Sequence, residues 1–439
     1  MKRRAFIRQA ATAATATALA PATYAAVLGA NDRVRFGVVG INGRGKALAS
    51  AVISTEDAEL RALCDVDSRT YGELKRFLKD SHTNWRKVKE IGDFRKLIKR
   101  KNIDAVAIAT PEHWHAPMAI LALQAGKHVY LEKPCSFNPG EGELLVKAQA
   151  KYGKLVQMGN QQRSARSTRA AIEAIHNGAI GEVYVGKAWY ANKRGSIGWA
   201  KAAPVPDWLD WELWQGPAPR QKFEDIWVHY NWHWHRKWGT GEINNNGTHE
   251  IDLCRWALGV DFPERVQSAG GRFHFDDDWQ YFDTQLASYT YADGKLISWD
   301  GRSCNPALTY DRGRGAYIGG TEGYAILDRA GSTLYNMDHR VVQEWKEEAV
   351  GATLNTVGIG PLDIHHMTNL VRGINRGEAL HSPIADARIS QWHCHLGNVA
   401  QDLQRVLHID TANGHVKDDP QAMAYWEREY APGWAPRLV

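Results

Sequence analysis

Apolar positions in the first 160 residues alternate between two rhythms. Val34–Val39 is a mostly β-branched and apolar run, interrupted by Arg35; it passes into Gly40-Ile41-Asn42-Gly43-Arg44-Gly45 and then into Ala, Leu and Val at helical spacing through Ile53. Further apolar runs over 59–64, 104–109, 128–131 and 155–158 end at Asp65, at Thr110-Pro111, at Glu132-Lys133-Pro134 and at Gly159, and 94–100 and 118–124 have helical spacing, the latter capped by Gly126. Strands apolar at every position are buried on both faces, and strands alternating with helices make a parallel sheet with right-handed crossovers. The predicted first domain is therefore a doubly wound α/β fold.

Past Gly153 the rhythm changes. A helix is predicted over Arg166–His176, then strands over 183–189, 283–291 and 295–299 and shorter ones within 316–335, separated by turns such as Asp293-Gly294. Strands joined by tight turns predict an antiparallel sheet. Residues 192–240 interrupt it with a loop-rich stretch dense in Trp, Pro and His, and 361–375 and 384–407 read as long helices. The expected division is 1–30 as a leader, 31–155 as the parallel-sheet domain and 156–439 as a second α/β domain whose C-terminal segment can pack back on the first.

Composition narrows the function. The 439 residues are 44% apolar, enough for a large core, and the net charge of +5 is spread along the chain without a basic arm for nucleic acid. The 18 Trp and 16 Tyr suit stacking on sugar faces as well as an ordinary core. Cys64, Cys135, Cys254, Cys304 and Cys394 lack metal-ligand spacing and read as buried thiols. His393 and His395, two apart, would lie about 200° apart around a helix and cannot share one metal; no metal site is expected.

Lys2-Arg3-Arg4-Ala5-Phe6-Ile7-Arg8 followed by the Ala/Thr run to Ala26 reads as a twin-arginine export signal. The run is too short and weakly apolar to span a membrane, which takes about 20 apolar residues. A periplasmic mature protein and the twin-arginine machinery as a partner are the expectation.

Candidate chemistry gathers at strand ends, because the carboxyl edge of a parallel sheet is where such folds bind ligands. The turn Gly40, Asn42, Gly43, Arg44, Gly45 lets backbone N–H groups approach a pyrophosphate at a helix N-terminus, although Asn42 stands where the G-x-G-x-x-G pattern has its middle glycine. Asp65 falls where an acidic residue meets the adenosine ribose, which favours NAD over NADP; Arg69 nearby could still accept a 2′-phosphate. Lys133, just past the last apolar residue of its strand, is either an acid, base or donor at the cofactor crevice or one half of a surface pair with Glu132. His115 either faces the cofactor or simply begins a helix.

These residues carry a resemblance. Phe36 to Gly45, Asp65, Ala109-Thr110-Pro111 with His115, and above all Gly126-Lys127-His128-Val129 through Glu132-Lys133-Pro134 resemble the Gfo/Idh/MocA family of nicotinamide-dependent oxidoreductases over nearly the whole mature chain. The resemblance implies an N-terminal Rossmann domain followed by an α/β domain with a large open, mostly antiparallel sheet that carries the substrate and often makes oligomer contacts. It implies that Thr110, Pro111, His115, Glu132 and Lys133 border the cofactor, NAD or NADP.

It also implies that His249 is the general base on the substrate hydroxyl beside Lys133, although Asn245 stands where the family has an aspartate four residues earlier. Asparagine can orient a hydroxyl or an imidazole but brings no charge. Asp252, three residues on, reads either as a partner of His249 or as a structural pair. Gln161, Gln162 and Arg163 fall where the family places substrate-binding polar residues, and His395 lies in a Cys-His-Leu-Gly-Asn segment expected to approach the pocket.

The expected reaction is hydride transfer to or from a hydroxyl-bearing carbon of a sugar, polyol or glycoside, on a tightly held cofactor. One alternative is a redox-neutral glycosidase that oxidises, eliminates, adds water and reduces; the family's glycosidase branch departs from the Glu-Lys-Pro that this chain keeps. The other is a non-catalytic dinucleotide or sugar binder.

Overall fold

The computed structural model describes residues 33–81, 83–347 and 360–439. The leader read over 1–30 lies outside the described residues.

The first sheet has six strands, β1 Val34–Val39, β2 Ala58–Cys64, β3 Lys89–Ile91, β4 Ala105–Ile108, β5 His128–Leu131 and β6 Val156–Met158. All pair in parallel, in the order β3-β2-β1-β4-β5-β6. The order reverses between β1 and β4, and the crevice at that switch point is where doubly wound sheets take their ligands. The apolar runs become these strands because both faces are covered: every residue of β4 is buried. Lys89–Ile91 went unread in the sequence because two of its three residues are exposed charges at the sheet edge.

The second sheet has nine strands, β7 Val183–Ala191, β8 Arg265–Gly271, β9 Thr284–Thr290, β10 Leu296–Arg302, β11 Arg314–Gly320, β12 Gly323–Leu327, β13 Gly331–Asn336, β14 Val341–Lys346 and β15 Leu407–His408. Their order is β14-β13-β12-β11-β7-β10-β9-β8-β15, antiparallel throughout except where β7 pairs with β10. β8 and β14 lack an alternating apolar pattern, being glycine-rich and almost wholly exposed respectively, so pairing rather than propensity makes them strands. One face of this sheet packs on the helices Arg166–His176, Thr248–Leu258 and Ile384–Leu403 through Ile172, Cys254, Leu258, Leu396 and Val399.

The chain then returns to the first sheet. Met367, Leu370 and Val371 of the helix Pro361–Arg376 pack with Val34, Phe36, Ala105 and Tyr130, and Ile384 and Ala387 pack with Val129 and Met158. The aromatic stretch forms its own cluster: Trp211, Trp214, Trp227 and Trp238 bury one another with Leu209 and Phe223, and the His113 ring sits 5.2 Å from Trp214 and 5.3 Å from Trp238. That cluster therefore lies on the loop that follows β4.

Candidate active site

The edge where β1, β4 and β5 end borders a cavity of about 680 Å³ that is closed on the other side by residues of the larger sheet and of the aromatic stretch. Gly40 turns the chain at φ +77, and a Cβ there would meet the Ala109 carbonyl oxygen at 2.6 Å. A Cβ on Gly45 would meet the Gly40 oxygen at 2.0 Å, so both glycines are required for the turn to close. Gly43 differs: a Cβ there meets nothing within 4 Å, and no side chain caps the helix Arg44–Ser54 that it precedes. A turn packed tight behind and open in front, at an uncapped helix start, fits a pyrophosphate held by backbone N–H groups. Thr110 adds a buried hydroxyl oxygen without a hydrogen-bond partner on the same wall.

Asn42, Thr110, Pro111, His115, Glu132 and Lys133 all line this cavity. Asp65 does so too, its carboxylate accepting the N–H groups of Ile41 at 2.7 Å and Asp67 at 3.0 Å. Arg69 is held bidentately by Asp67 and lies over the Trp208 ring at 3.3 Å, which answers its charge within the protein. Arg44 reaches away from the turn to Glu132, 2.7 Å from Nε, and to Asp363 at the start of the helix Pro361–Arg376. His115 borders the cavity with its ring nitrogens 2.5 Å from the Pro134 oxygen and 2.8 Å from the Thr110 oxygen, so it ties two cofactor-side loops together.

On the facing wall, the segment Ile243–Gly247 makes a wide helical turn before Thr248–Leu258 and brings Asn245 and His249 into the cavity. Lys133 Nζ donates to Asn245 Oδ1 at 2.9 Å and to the Asn245 backbone oxygen. Burial is the chief cause that pulls Lys133 down to about 8, against the opposing pull of Glu132 and Glu112. His249 is held well below its ordinary value by burial and by the cations Arg329, Lys133, Arg314 and Arg44, so it is a neutral imidazole at neutral pH. No hydrogen-bond partner reaches its ring among the described residues.

Two expectations are corrected. Arg163 is not in the cavity: it is buried against Asp252 through bonds of 2.7 and 2.8 Å, with its guanidinium 4.7 Å over Trp256. Asp252 is consumed by that pair and by Ser390, which removes it as a partner for His249. His395 is likewise buried beside the Ser136 backbone, away from the cavity lining. Both looked like site residues because polar groups on buried helices, pairing across the core, have the same sequence signature as groups facing a ligand. Gln162 does line the cavity, with its carbonyl oxygen unpartnered.

Sequence reasoning also missed residues. Glu112 lines the cavity as a buried carboxyl that accepts from Thr240, and burial pushes it up to about 7. Tyr190, Arg194, Tyr230, Trp232 and His233 supply an aromatic wall, and Arg314 and Arg329 enter from the start of β11 and the turn after β12. A charged residue opening the apolar strand Arg314–Gly320 was a usable signal; Arg329 in an Asp-Arg-Ala-Gly turn was not.

Comparison with known proteins agrees with this geometry. A model described as the NAD-binding Rossmann fold of the Gfo/Idh/MocA oxidoreductase family matches residues 34–160, and that family's C-terminal α/β domain matches 180–352. A Saccharopolyspora erythraea protein named glycosyl hydrolase family 109 protein is 28% identical over 182 residues, 41% of this chain and 39% of the relative. The match thus spans about two-fifths of the length of such relatives. Among solved structures, an Agrobacterium radiobacter oxidoreductase in complex with NAD+, L-tartaric acid and magnesium covers 86% of this chain and 98% of its own at TM-score 0.66 and 14% identity. A levoglucosan dehydrogenase complex with NADH and levoglucosan covers 86% and 99% at TM-score 0.66 and 19% identity. At these identities the structural likeness speaks for the fold. With a glycine turn shaped for a pyrophosphate on a 3-2-1-4-5-6 sheet, an open second sheet behind it and both family models matching in register with the two, the chain belongs to the Gfo/Idh/MocA family of NAD-binding oxidoreductases.

Proposed function

We propose that the protein moves hydride to or from a hydroxyl-bearing carbon of a sugar, polyol or glycoside, with NAD as the favoured cofactor. The observation that carries this is the convergence of Lys133 and His249, one from each wall, on the cavity that the glycine turn opens into. A bound nicotinamide would supply the hydride acceptor. His249, neutral and without a hydrogen-bond partner among the described residues, takes the hydroxyl proton, and protonated Lys133, steadied by Asn245, donates to the oxygen as it becomes a carbonyl. One C–H and one O–H bond break, and the carbon gains its second bond to oxygen. Tyr190, Tyr230 and Trp232 offer faces on which a sugar ring can stack.

The relatives named glycosyl hydrolase family 109 protein favour a second reading, in which oxidation at one ring carbon acidifies its neighbour, an aglycone leaves, and reduction closes a redox-neutral cycle. Both readings share a cofactor that stays bound. With export by the twin-arginine route and a periplasmic home, release would be loss; a Kd near 10 nM, about 11 kcal/mol, would retain it. A homo-oligomer is part of the same proposal.

The experiment is to purify the chain, denature a portion and assay released nucleotide, then mix the remainder with free sugars and aryl glycosides while following nicotinamide absorbance and aglycone release together. Absorbance change without aglycone supports the oxidoreductase; stoichiometric aglycone with no net absorbance change supports the glycosidase. Bound nucleotide with neither signal from any carbohydrate defeats both and leaves a binding protein.

A further inference from the structure

The arginines bordering the cavity are answered by carboxylates, with one exception. Arg44 bonds Glu132 and Asp363, Arg95 bonds Asp93, Arg194 lies 2.9 Å from Glu242, Arg312 pairs with Asp328, and Arg314 lies 2.8 Å from Glu250. Arg329, in the turn between β12 and β13, lines the same cavity and has neither an ion pair nor a hydrogen bond among the described residues. Its side chain is half-buried in that wall. Desolvation and the nearby guanidiniums of Arg314 and Arg44 push it down to about 9.

Its position is set by what it acts on. Among the charges that depress His249, Arg329 comes first, ahead of Lys133, and it also acts on Lys133 and Glu250. The antiparallel pairing of Ala316 with Leu327 sets Arg329 beside Arg314, and Arg314 bonds Glu250 and Asn246 on either side of His249, so Arg329 stands at the end of the cavity where Lys133 and His249 meet. A half-buried guanidinium on the cavity wall, without a partner among the described residues, is open to an anionic ligand, and a carboxylate matches its planar fork with two parallel N–H···O bonds. A single unanswered guanidinium, beside a lysine whose Nζ is already bonded to Asn245 and a neutral histidine, offers one fork, which a carboxylate fills.

Resting on the oxidoreductase reading above, we propose that Arg329 binds a carboxylate of the substrate, so that the preferred substrates are acidic sugars, uronic or aldonic acids, rather than neutral ones. Arg329 then fixes the ring relative to His249 and Lys133 and sets which hydroxyl is presented. The anchor is a side chain of a turn, so it selects the substrate without touching the hydride-transfer groups.

The test is direct binding to the NAD-loaded protein, read by quenching of tryptophan fluorescence, since Trp214 and Trp232 line the cavity. The probes are D-glucuronate, its methyl ester, D-glucose and glucose 6-phosphate. Glucuronate should bind at least about thirtyfold more tightly than its methyl ester or glucose, the scale of a charge-assisted bidentate pair. Arg329→Gln should bring that ratio close to one and Arg329→Lys should restore part of it. Equal binding of glucuronate and its ester overturns the proposal, as does preference for glucose 6-phosphate over glucuronate. If Arg329→Gln weakens NAD by the factor it weakens glucuronate, Arg329 serves the cofactor phosphates and the proposal falls. The comparison of glucuronate with its ester needs no variant, so a misfolded substitution does not blunt it. Glucuronate that binds through Arg329 yet is neither oxidised nor cleaved, like every other carbohydrate, would defeat the oxidoreductase reading and leave this anchor standing.

Discussion

The two walls of the cavity are built on different terms. The wall from the parallel sheet meets its ligand with main chain: a turn in which Gly40 and Gly45 are packed to contact and Gly43 faces open space, while Arg44, Glu132 and Asp363 neutralise one another behind it. The wall from the larger sheet meets its ligand with side chains, two of which, His249 and Arg329, have no hydrogen-bond partner among the described residues. A main-chain site depends on the path of the backbone and is lost only by steric intrusion. A side-chain site can be retuned by single substitutions, which is why one fold can keep its cofactor and change its substrate.

The largest break should come where the walls meet. Lys133→Ala is expected to slow hydride transfer by about a hundredfold to ten-thousandfold, followed as nicotinamide absorbance in a single turnover. A rate within about threefold of the parent would remove Lys133 from the chemistry. Arg163→Gln tests the corrected assignment from the other side. It strips the partner from a buried Asp252 and should cost about 3 kcal/mol or more in denaturant unfolding, with NAD affinity unmoved. A change confined to substrate affinity would return Arg163 to the site.

Within the main-chain wall, Gly43 and Gly45 should separate. Gly45→Ala forces a Cβ onto a backbone oxygen and should lower stability by about 1–3 kcal/mol in thermal melts. Gly43→Ala should leave the melting temperature nearly unchanged and weaken NAD about tenfold, because its methyl group enters the space meant for the pyrophosphate. Equal effects of the two would mean that the turn is not the cofactor cradle.

The smallest effects sharpen the seam between the walls. With Lys133 near 8 and needed protonated, kcat/KM for alcohol oxidation should fall as pH rises through that value, and the neutral His249 should place its own limb well below 6.5. Asn245→Asp puts a negative charge on Lys133 Nζ and should move the upper limb to higher pH by about one to two units. Glu112→Gln removes a more distant negative charge that supports protonated Lys133 and should move the same limb downward by less than about one unit. Shifts of the opposite sign would show that another group sets the limb.

What was legible from sequence followed from locality. The strands Val34–Val39 and Ala105–Ile108, the turn Gly40 to Gly45 and the helix Arg166–His176 are each decided by residues adjacent in the chain, through burial period and backbone freedom, and they stand where the pattern put them. Lys133 was readable for a related reason, since it sits just past a strand end, and His249 through the family resemblance that marks its position. Their meeting was not readable. It depends on the antiparallel sheet and the aromatic stretch folding over the carboxyl edge, across 116 residues that carry no local record of the contact.

The errors have the same origin. Arg163 and His395 carry as much polarity in sequence as Gln162 and His249, yet two of them point into the core and two into the cavity. Only the tertiary structure assigns Arg163 to Asp252, ties His115 between two carbonyls and leaves Arg329 without an anion among the described residues. Sequence by itself determined the parallel sheet, its glycine turn and the identity of the groups at its edge, because hydrophobic period and backbone freedom act over a few residues. Which charges are answered and which wait for a ligand was decided mainly by the fold, because pairing is a matter of distance in space and the partners of Arg44, Arg163 and Arg314 are remote in the chain.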